Sequence, residues 1–397
     1  MPLFNIVWKN VKGNAVRSLL AFLCVVGVSA FFISTMIISR GTQNSLEKGM
    51  QRLGADIMVV PNGAQTDIET ALLMGKPSHI WMAQSNLDTI AAIDGVAAAS
   101  PQIYLQSLYQ AACCSVSETF LVVYDPLTDF TVTPWLKKTL GRGLKTGEVV
   151  GGAYIFSPTN NGMIKLYGCD LKLVGNLQPT GTGMDQTVFF TLDTANVIAQ
   201  SSLTGAVSPL EIPQGEISSI LVKVKPGIDA RNVIAPIYLK IPDVAPIASP
   251  QLFGTFRDQM NGLFGGLMVV VTLAWILSAV LIGLLFSMSA NERQRQMAVF
   301  RSLGATKGYV LTVLLTESSL LAVCASAAGS IIGSFSIFIF RNYFAGTIKM
   351  PFLFPSISTL LLLSLWSLIL SFITVSIGTV LPAIRISRLE PAIGMRE

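Results

Sequence analysis

The sequence predicts a membrane protein with four transmembrane α-helices and one large α+β extracytoplasmic domain between the first and second of them. Three observations carry this. The 397 residues are 51% hydrophobic and only 12% charged, with a mean hydropathy of +0.61, values typical of membrane proteins. Four apolar runs, three of them crowded into residues 259–384, are long enough to cross about 30 Å of hydrocarbon. Residues 40–258, by contrast, hold most of the Pro, Gly, Asp and Thr, as a soluble domain does.

The net charge of +5 is modest, and many basic residues flank the apolar runs, so membrane topology explains them without nucleic acid. One histidine and five cysteines exclude a His-rich metal site and leave only thiol-based chemistry open. Cys24 and Cys324 lie inside apolar runs and read as small packing residues.

In chain order, residues 1–17, with Lys9, Lys12 and Arg17, read as a cytoplasmic amphipathic elbow. Residues 18–39 form the first transmembrane helix. Val28-Ser29-Ala30 offers small residues for signal cleavage, but the apolar run continues past it, so the helix reads as uncleaved. Within 40–258, residues 43–53 continue the helix outward, 55–61 look like a strand ended by proline, and 66–75 and 85–93 look helical. Strands follow at 120–124, 148–156, 171–176, 187–191 and 217–225, with helical pieces at 192–200 and 229–240.

The second transmembrane helix, 259–288, follows residue 250 without a strong breaker. A single helix of about 40 residues would span roughly 60 Å, twice the hydrocarbon thickness. Residues 289–309 are a charged cytoplasmic segment, an amphipathic helix stopped by Gly304. The third helix, 310–340, contains Glu317, placed to reach interfacial water near the cytoplasmic end. It also carries a small-residue face in which Gly329 and Gly333 have small-xxx-small spacing, suited equally to packing within the chain or to a dimer seam. An outer loop, 341–355, leads to the fourth helix, 356–384, and a cytoplasmic tail, 385–397. Lys9, Lys12, Arg17, Arg293, Arg295, Arg301, Lys307, Arg385, Arg388 and Arg396 all fall inside, which orients both termini to the cytoplasm.

Chemistry is sparse. No Walker A loop is present: neither the 141–147 stretch nor the 304–308 stretch has the Gly-x4-Gly-Lys-Ser/Thr order. No nucleophile-His-acid set exists, since the one histidine, His79, sits near Pro77 in a surface loop; the chain reads as no enzyme. Cys113, Cys114 and Cys169 are the extracytoplasmic cysteines. Three readings stay open: a disulfide from Cys113 or Cys114 to Cys169, a soft-metal or thiol-redox site, or inert thiols. Residues 124–135 are either a partner or substrate surface or a well-packed loop.

Two motifs carry a resemblance. Asn291-Glu292-Arg293 followed by Arg301-Ser302-Leu303-Gly304-Ala305-Thr306 resembles the signature of the MacB/FtsX family of ABC transporter permeases, the type VII membrane subunits, with Gln296 standing where relatives have a second acidic residue. The closing stretch from Pro382 through Arg385 and Pro391 to Arg396 resembles that family's last motif. The resemblance covers nearly the whole chain. It implies a permease in the prokaryotic cytoplasmic (inner) membrane, paired with a second permease copy or paralogue and engaging two copies of a separate cytoplasmic ATPase. That subunit holds ATP and Mg, with no cofactor bound by this chain. By the same resemblance, Asn291, Glu292, Arg293, Arg295, Arg301, Gly304, Ala305, Arg385, Arg388 and Arg396 couple to the ATPase, and Glu317 is structural or coupling. The implied activity is mechanotransmission: export or extraction of a substrate from the outer side, in contact with membrane lipid and with room for a soluble extracytoplasmic partner. Metal or thiol-redox handling and activation of an external hydrolase are the alternatives.

Overall fold

The computed structural model describes residues 15–75, 80–108, 113–114, 119–157, 161–292, 306–346 and 350–387. These fall into two compact units divided at Arg40/Gly41, Met260/Asn261, Arg341/Asn342 and Leu353/Phe354. The first helix, α1 (Ala15–Leu53), runs 39 residues and ends at Gly54, whose positive φ of 64° only glycine adopts without strain.

The large unit is built on a mixed sheet. Its strands are β1 (Ile57–Pro61), β3 (Val96–Gln106), β4 (Phe120–Tyr124), β5 (Glu148–Gly151), β6 (Met163–Leu166), β7 (Cys169–Asn176), β8 (Thr187–Thr191), β10 (Ser219–Val224) and β11 (Val244–Ala248). Among the described residues the order is β11-β1-β10-β3-β4-β8-β5-β7-β6, while β2 (Met82–Ala83) and β9 (Glu216–Ile217) pair separately. β4 pairs parallel with β8 and β5 with β7; the remaining ladders are antiparallel.

The strands read as nearly continuous apolar runs because both faces of the sheet are covered. Along β4, Leu121 and Val123 face one core while Phe120, Val122 and Tyr124 face the other; Ile220 and Val222 oppose Leu221 along β10 in the same way. The first core is closed by α3 (Asn86–Ala91), α5 (Leu192–Gly205) and α6 (Ala230–Lys240), through Ile90, Ala195, Ile198, Val233 and Ile237. The second is closed by α2 (Gln65–Met74) and α4 (Thr133–Leu140), with Leu46 and Leu53 of α1 and, after the short α7 (Ser249–Leu252), Phe253 and Phe256. Each fully buried aliphatic or aromatic side chain stabilises by about 1.5–3 kcal/mol relative to exposure.

Two local expectations differ from what is observed. The strand expected over 148–156 stops at Gly151; at Gly152 the chain passes so close to Met184 and Asp185 that a Cβ there would lie 2.3 Å from the Met184 carbonyl oxygen. The longest described strand, β3, has no strand signature in its first half: Val-Ala-Ala-Ala-Ser-Pro is poor in β-formers, and Pro101 pairs only with Ile220 of β10, where the ladder with β4 has not yet begun.

The second unit holds the apolar parts of α1, α8 (Gly254–Glu292), α9 (Lys307–Gly346) and α10 (Ile357–Ser387). Ser18–Leu53, Gly254–Met288, Leu311–Arg341 and Ile357–Ile384 are each long and apolar enough to cross a membrane. Their buried faces repeat at helical spacing: Ala21, Val25, Ser29, Ile33 and Ile37 on α1, and Leu363, Ser367, Ser371, Val375, Thr379 and Ala383 on α10. Val25, Ile282, Ala322, Ala325 and Val375 bring all four helices to one cluster.

Candidate functional site

Among the described residues, those expected to meet an ATPase stand at helix ends. Asn291 and Glu292 are the last two residues of α8, and Arg385 lies in the last turn of α10. Arg293, Arg295, Arg301, Gly304, Ala305, Arg388 and Arg396 lie outside the described residues, as does His79.

The seams that would carry movement between helices are built from glycine and hydroxyls. A Cβ on Gly329 would lie 2.7 Å from the Ser29 side chain, and one on Gly333 2.6 Å from the Ala30 carbonyl oxygen, so this face of α9 packs on α1. Gly378 of α10 faces α8 as closely, its Cβ position 2.7 Å from the Ala279 carbonyl oxygen. Hydroxyl pairs bind α10 to its neighbours: Ser29 with Ser371 at 3.0 Å, Ser326 with Ser367 at 3.3 Å, and Thr379 donating to Ser318 at 3.2 Å. Such bonds contribute about 0.6 kcal/mol each on average in a bilayer. Glu317 corrects an expectation. It does not reach interfacial water but is 3% exposed, because it shares the buried stripe of α9 with Leu314, Ser318 and Ala322.

Within the large unit, one buried charged node ties three segments together. Arg52, at the end of α1, donates to the carbonyl of Gln178, pairs with Asp185 at 3.6 Å and lies 5.4 Å from the Trp135 ring centroid. Asp185, 1% exposed, accepts from Thr180 N–H at 2.8 and 2.9 Å, from Thr180 Oγ1 at 2.8 Å and from Gly181 N–H at 2.6 Å. Burial pushes its carboxyl up from the ordinary range; the Thr180 and Gly181 donors and Arg52 oppose that. A cavity of about 30 Å3 beside Arg52, lined mostly by apolar side chains such as Leu53, Leu72, Val122 and Phe189, is large enough for one water molecule. Gly181 then receives the loop that precedes α10. Phe352 N–H donates to the Gly181 carbonyl at 2.9 Å and Leu353 N–H to that of Gly41 at 3.2 Å, while the Phe352 ring fills the space a Gly41 side chain would need. Neither Arg52 nor Asp185 was anticipated as a site. The available signal is that an acid and a base at apolar borders must be paired once buried.

The extracytoplasmic cysteines gather at one hairpin. Gly168 N–H donates to the Cys113 carbonyl at 2.9 Å and Tyr167 N–H to Cys114 Sγ at 3.4 Å, in the turn between β6 and β7 that Cys169 follows. All five cysteines are free. Of the three open readings, the bridge to Cys169 is not made, and Cys113 Sγ lies 3.9 Å from Cys114 Sγ, well beyond the roughly 2.05 Å of a disulfide. Burial pushes the Cys114 thiol up, away from the thiolate that exchange or metal binding requires. Among the described residues no group of three or more His, Cys, Asp or Glu is placed to hold a metal ion. Over 124–135, Tyr124 ends β4 and residues 133–135 open α4; between them Asp129, Thr131 and Val132 are buried and Leu127 is exposed, a packed loop with a protruding tip.

The model of the FtsX-like permease C-terminal family matches residues 268–391. An uncharacterized ABC transporter permease of Methanocaldococcus jannaschii is 22% identical over 365 residues, covering 83% of this chain and 82% of its own length. Among solved structures, the periplasmic region of MacB from Actinobacillus actinomycetemcomitans superposes with a TM-score of 0.33 at 12% identity, covering 53% of this chain and 97% of that one. The extracellular domain of the noncanonic ABC-type transporter YknZ from Gram-positive bacteria gives 0.29 at 10% identity, covering 49% and 98%. Residues 268–391, which run from α8 to just beyond α10, are thus similar to the C-terminal part of FtsX-like permeases, and the chain is similar to an ABC transporter permease across most of its length.

Proposed function

We propose that the chain is the membrane subunit through which a separate cytoplasmic ATPase, present in two copies and holding ATP and Mg, moves the large extracytoplasmic domain. The movement exports or extracts a substrate from the outer side of the prokaryotic cytoplasmic membrane. One observation carries the reading: α1 and α8 are each continuous for 39 residues, about 58 Å at 1.5 Å per residue, nearly twice the hydrocarbon thickness. Each includes a membrane span and also turns that supply core residues to the large unit, Leu46 and Leu53 from α1 and Phe256 from α8. A helix of that length transmits a push at Asn291 and Glu292 without needing a pore. The buried polar groups of the membrane unit agree, being serine and threonine hydroxyls with Glu317 as the one buried acid among the described residues. ATP has to be hydrolysed elsewhere, since the sequence has no Walker A loop.

The test is ATPase activity of the full chain reconstituted in liposomes with the ATPase that co-purifies with it. Glu292→Ala with Arg293→Ala is expected to bring activity down to that of the ATPase alone. A variant complex that stays fully coupled would sink the docking assignment.

A further inference from the structure

The membrane unit carries a groove that its own helices leave unfilled. It lies between α9 and α10, encloses about 780 Å3 and is almost wholly apolar. Its floor is set back by small residues, Ala327, Ser330 and Ser334 of α9 and Ser364 of α10, while Phe335 and Leu361, 62% and 67% exposed, form its walls. At one end Phe338 and Phe354 meet edge to face, centroids 5.6 Å apart. The Arg341 guanidinium lies over the Phe338 ring at 4.2 Å from its centroid, and Arg341 is exposed.

Charge and length together name the occupant. Arg341 closes the apolar span Leu311–Arg341, which puts its cation at headgroup depth. A guanidinium there matches a phosphate with two parallel hydrogen bonds. From Ala327 to Arg341 the helix rises roughly 21 Å, about half of a 40–45 Å bilayer including headgroups, the length of one lipid molecule. A helix of a second copy would have no use for a cation at the end of the groove. The seams that α9 and α10 build within this chain rest on glycine contacts and hydroxyl pairs.

We infer that the groove holds one phospholipid of the leaflet on the side of the large domain. Its acyl chain lies against Phe335 and Leu361 and its phosphate on Arg341. This site is independent of the ATPase coupling proposed above.

The experiment uses the full chain in vesicles of phosphatidylethanolamine and phosphatidylglycerol. Trace phosphatidylglycerol with a photoreactive acyl chain is compared with diacylglycerol bearing the same chain. After irradiation, labelled peptides are mapped by mass spectrometry, with the exposed α8 residues Leu273, Ile276, Leu277 and Leu284 as the bulk-lipid reference. Phosphatidylglycerol is expected to label 327–338 and 360–368 at least about tenfold over that reference, the ratio a charge-assisted hydrogen bond supports. Diacylglycerol should show no such preference. Arg341→Gln should remove the preference, and Ser364→Trp, which fills the groove while keeping Arg341, should remove the labelling; unchanged α8 labelling certifies that either variant is inserted. Equal labelling of groove and reference by both lipids would overturn the site. So would an unlabelled groove whose residues cross-link to a second copy, which would make it a protein seam.

Discussion

Arg52 and Asp185 show how much depends on a pairing that neither residue announces. Both are buried, 6% and 1% exposed, and each would be a stranded charge without the other. Arg52→Gln is therefore expected to destabilise the protein by about 3–5 kcal/mol, read as a lowered melting temperature of the full chain in detergent. Replacing the pair together, Arg52→Met with Asp185→Asn, should recover part of that loss, because no charge then stays buried alone and the carboxamide oxygen still accepts from Thr180 and Gly181. At the surface, Arg142 grips Glu148 through two bonds of 2.6 and 2.9 Å, and that hydrogen bonding holds the Glu148 carboxyl down at about 2. A depressed carboxylate adds stability above its unfolded value of roughly 4.3 and loses it as pH falls through the folded one. The melting-temperature gap between wild type and Arg142→Gln should thus be fully present above pH 5 and close as pH approaches 2. A gap that did not change with pH would show the pair to be inert.

At the scale of elements, the membrane helices are held by shape more than by apolar character, which lipid supplies equally well. Gly333 faces the Ala30 carbonyl at a distance that admits no Cβ, whereas Gly27 on α1 has nothing within 4 Å. Gly333→Ala is expected to force α1 and α9 apart and lose about 1–3 kcal/mol, seen as a lower melting temperature. Gly27→Ala, placed in open space, should be neutral or stabilising by up to about 1 kcal/mol from helix propensity. The small-xxx-small spacing of Gly329 and Gly333 was legible in the chain, but which helix they face was not, because spacing describes one surface and a seam needs two. The same limit explains β3. Its alanines, serine and proline carry little strand preference, and it is drawn into the sheet by pairing with β10 and β4 on either side.

For the whole molecule, the amino-acid sequence determined the fold class: four apolar runs of membrane-crossing length, and between the first two a polar block of short strand and helix runs that makes a mixed α+β domain. Hydrophobicity is a relation between each residue and its solvent, so it can be summed along the chain without knowing what the chain touches. The family motifs at 291–306 and 382–396 were legible for a similar reason, being local and contiguous. Only the tertiary structure decided that Glu317 is buried, that Gly329 meets Ser29, that Arg52 is neutralised by Asp185, and that a groove with a cation at its rim opens between α9 and α10. The partner of a buried charge and the space opposite a small residue belong to two segments at once, and folding brings those segments together from distant parts of the chain.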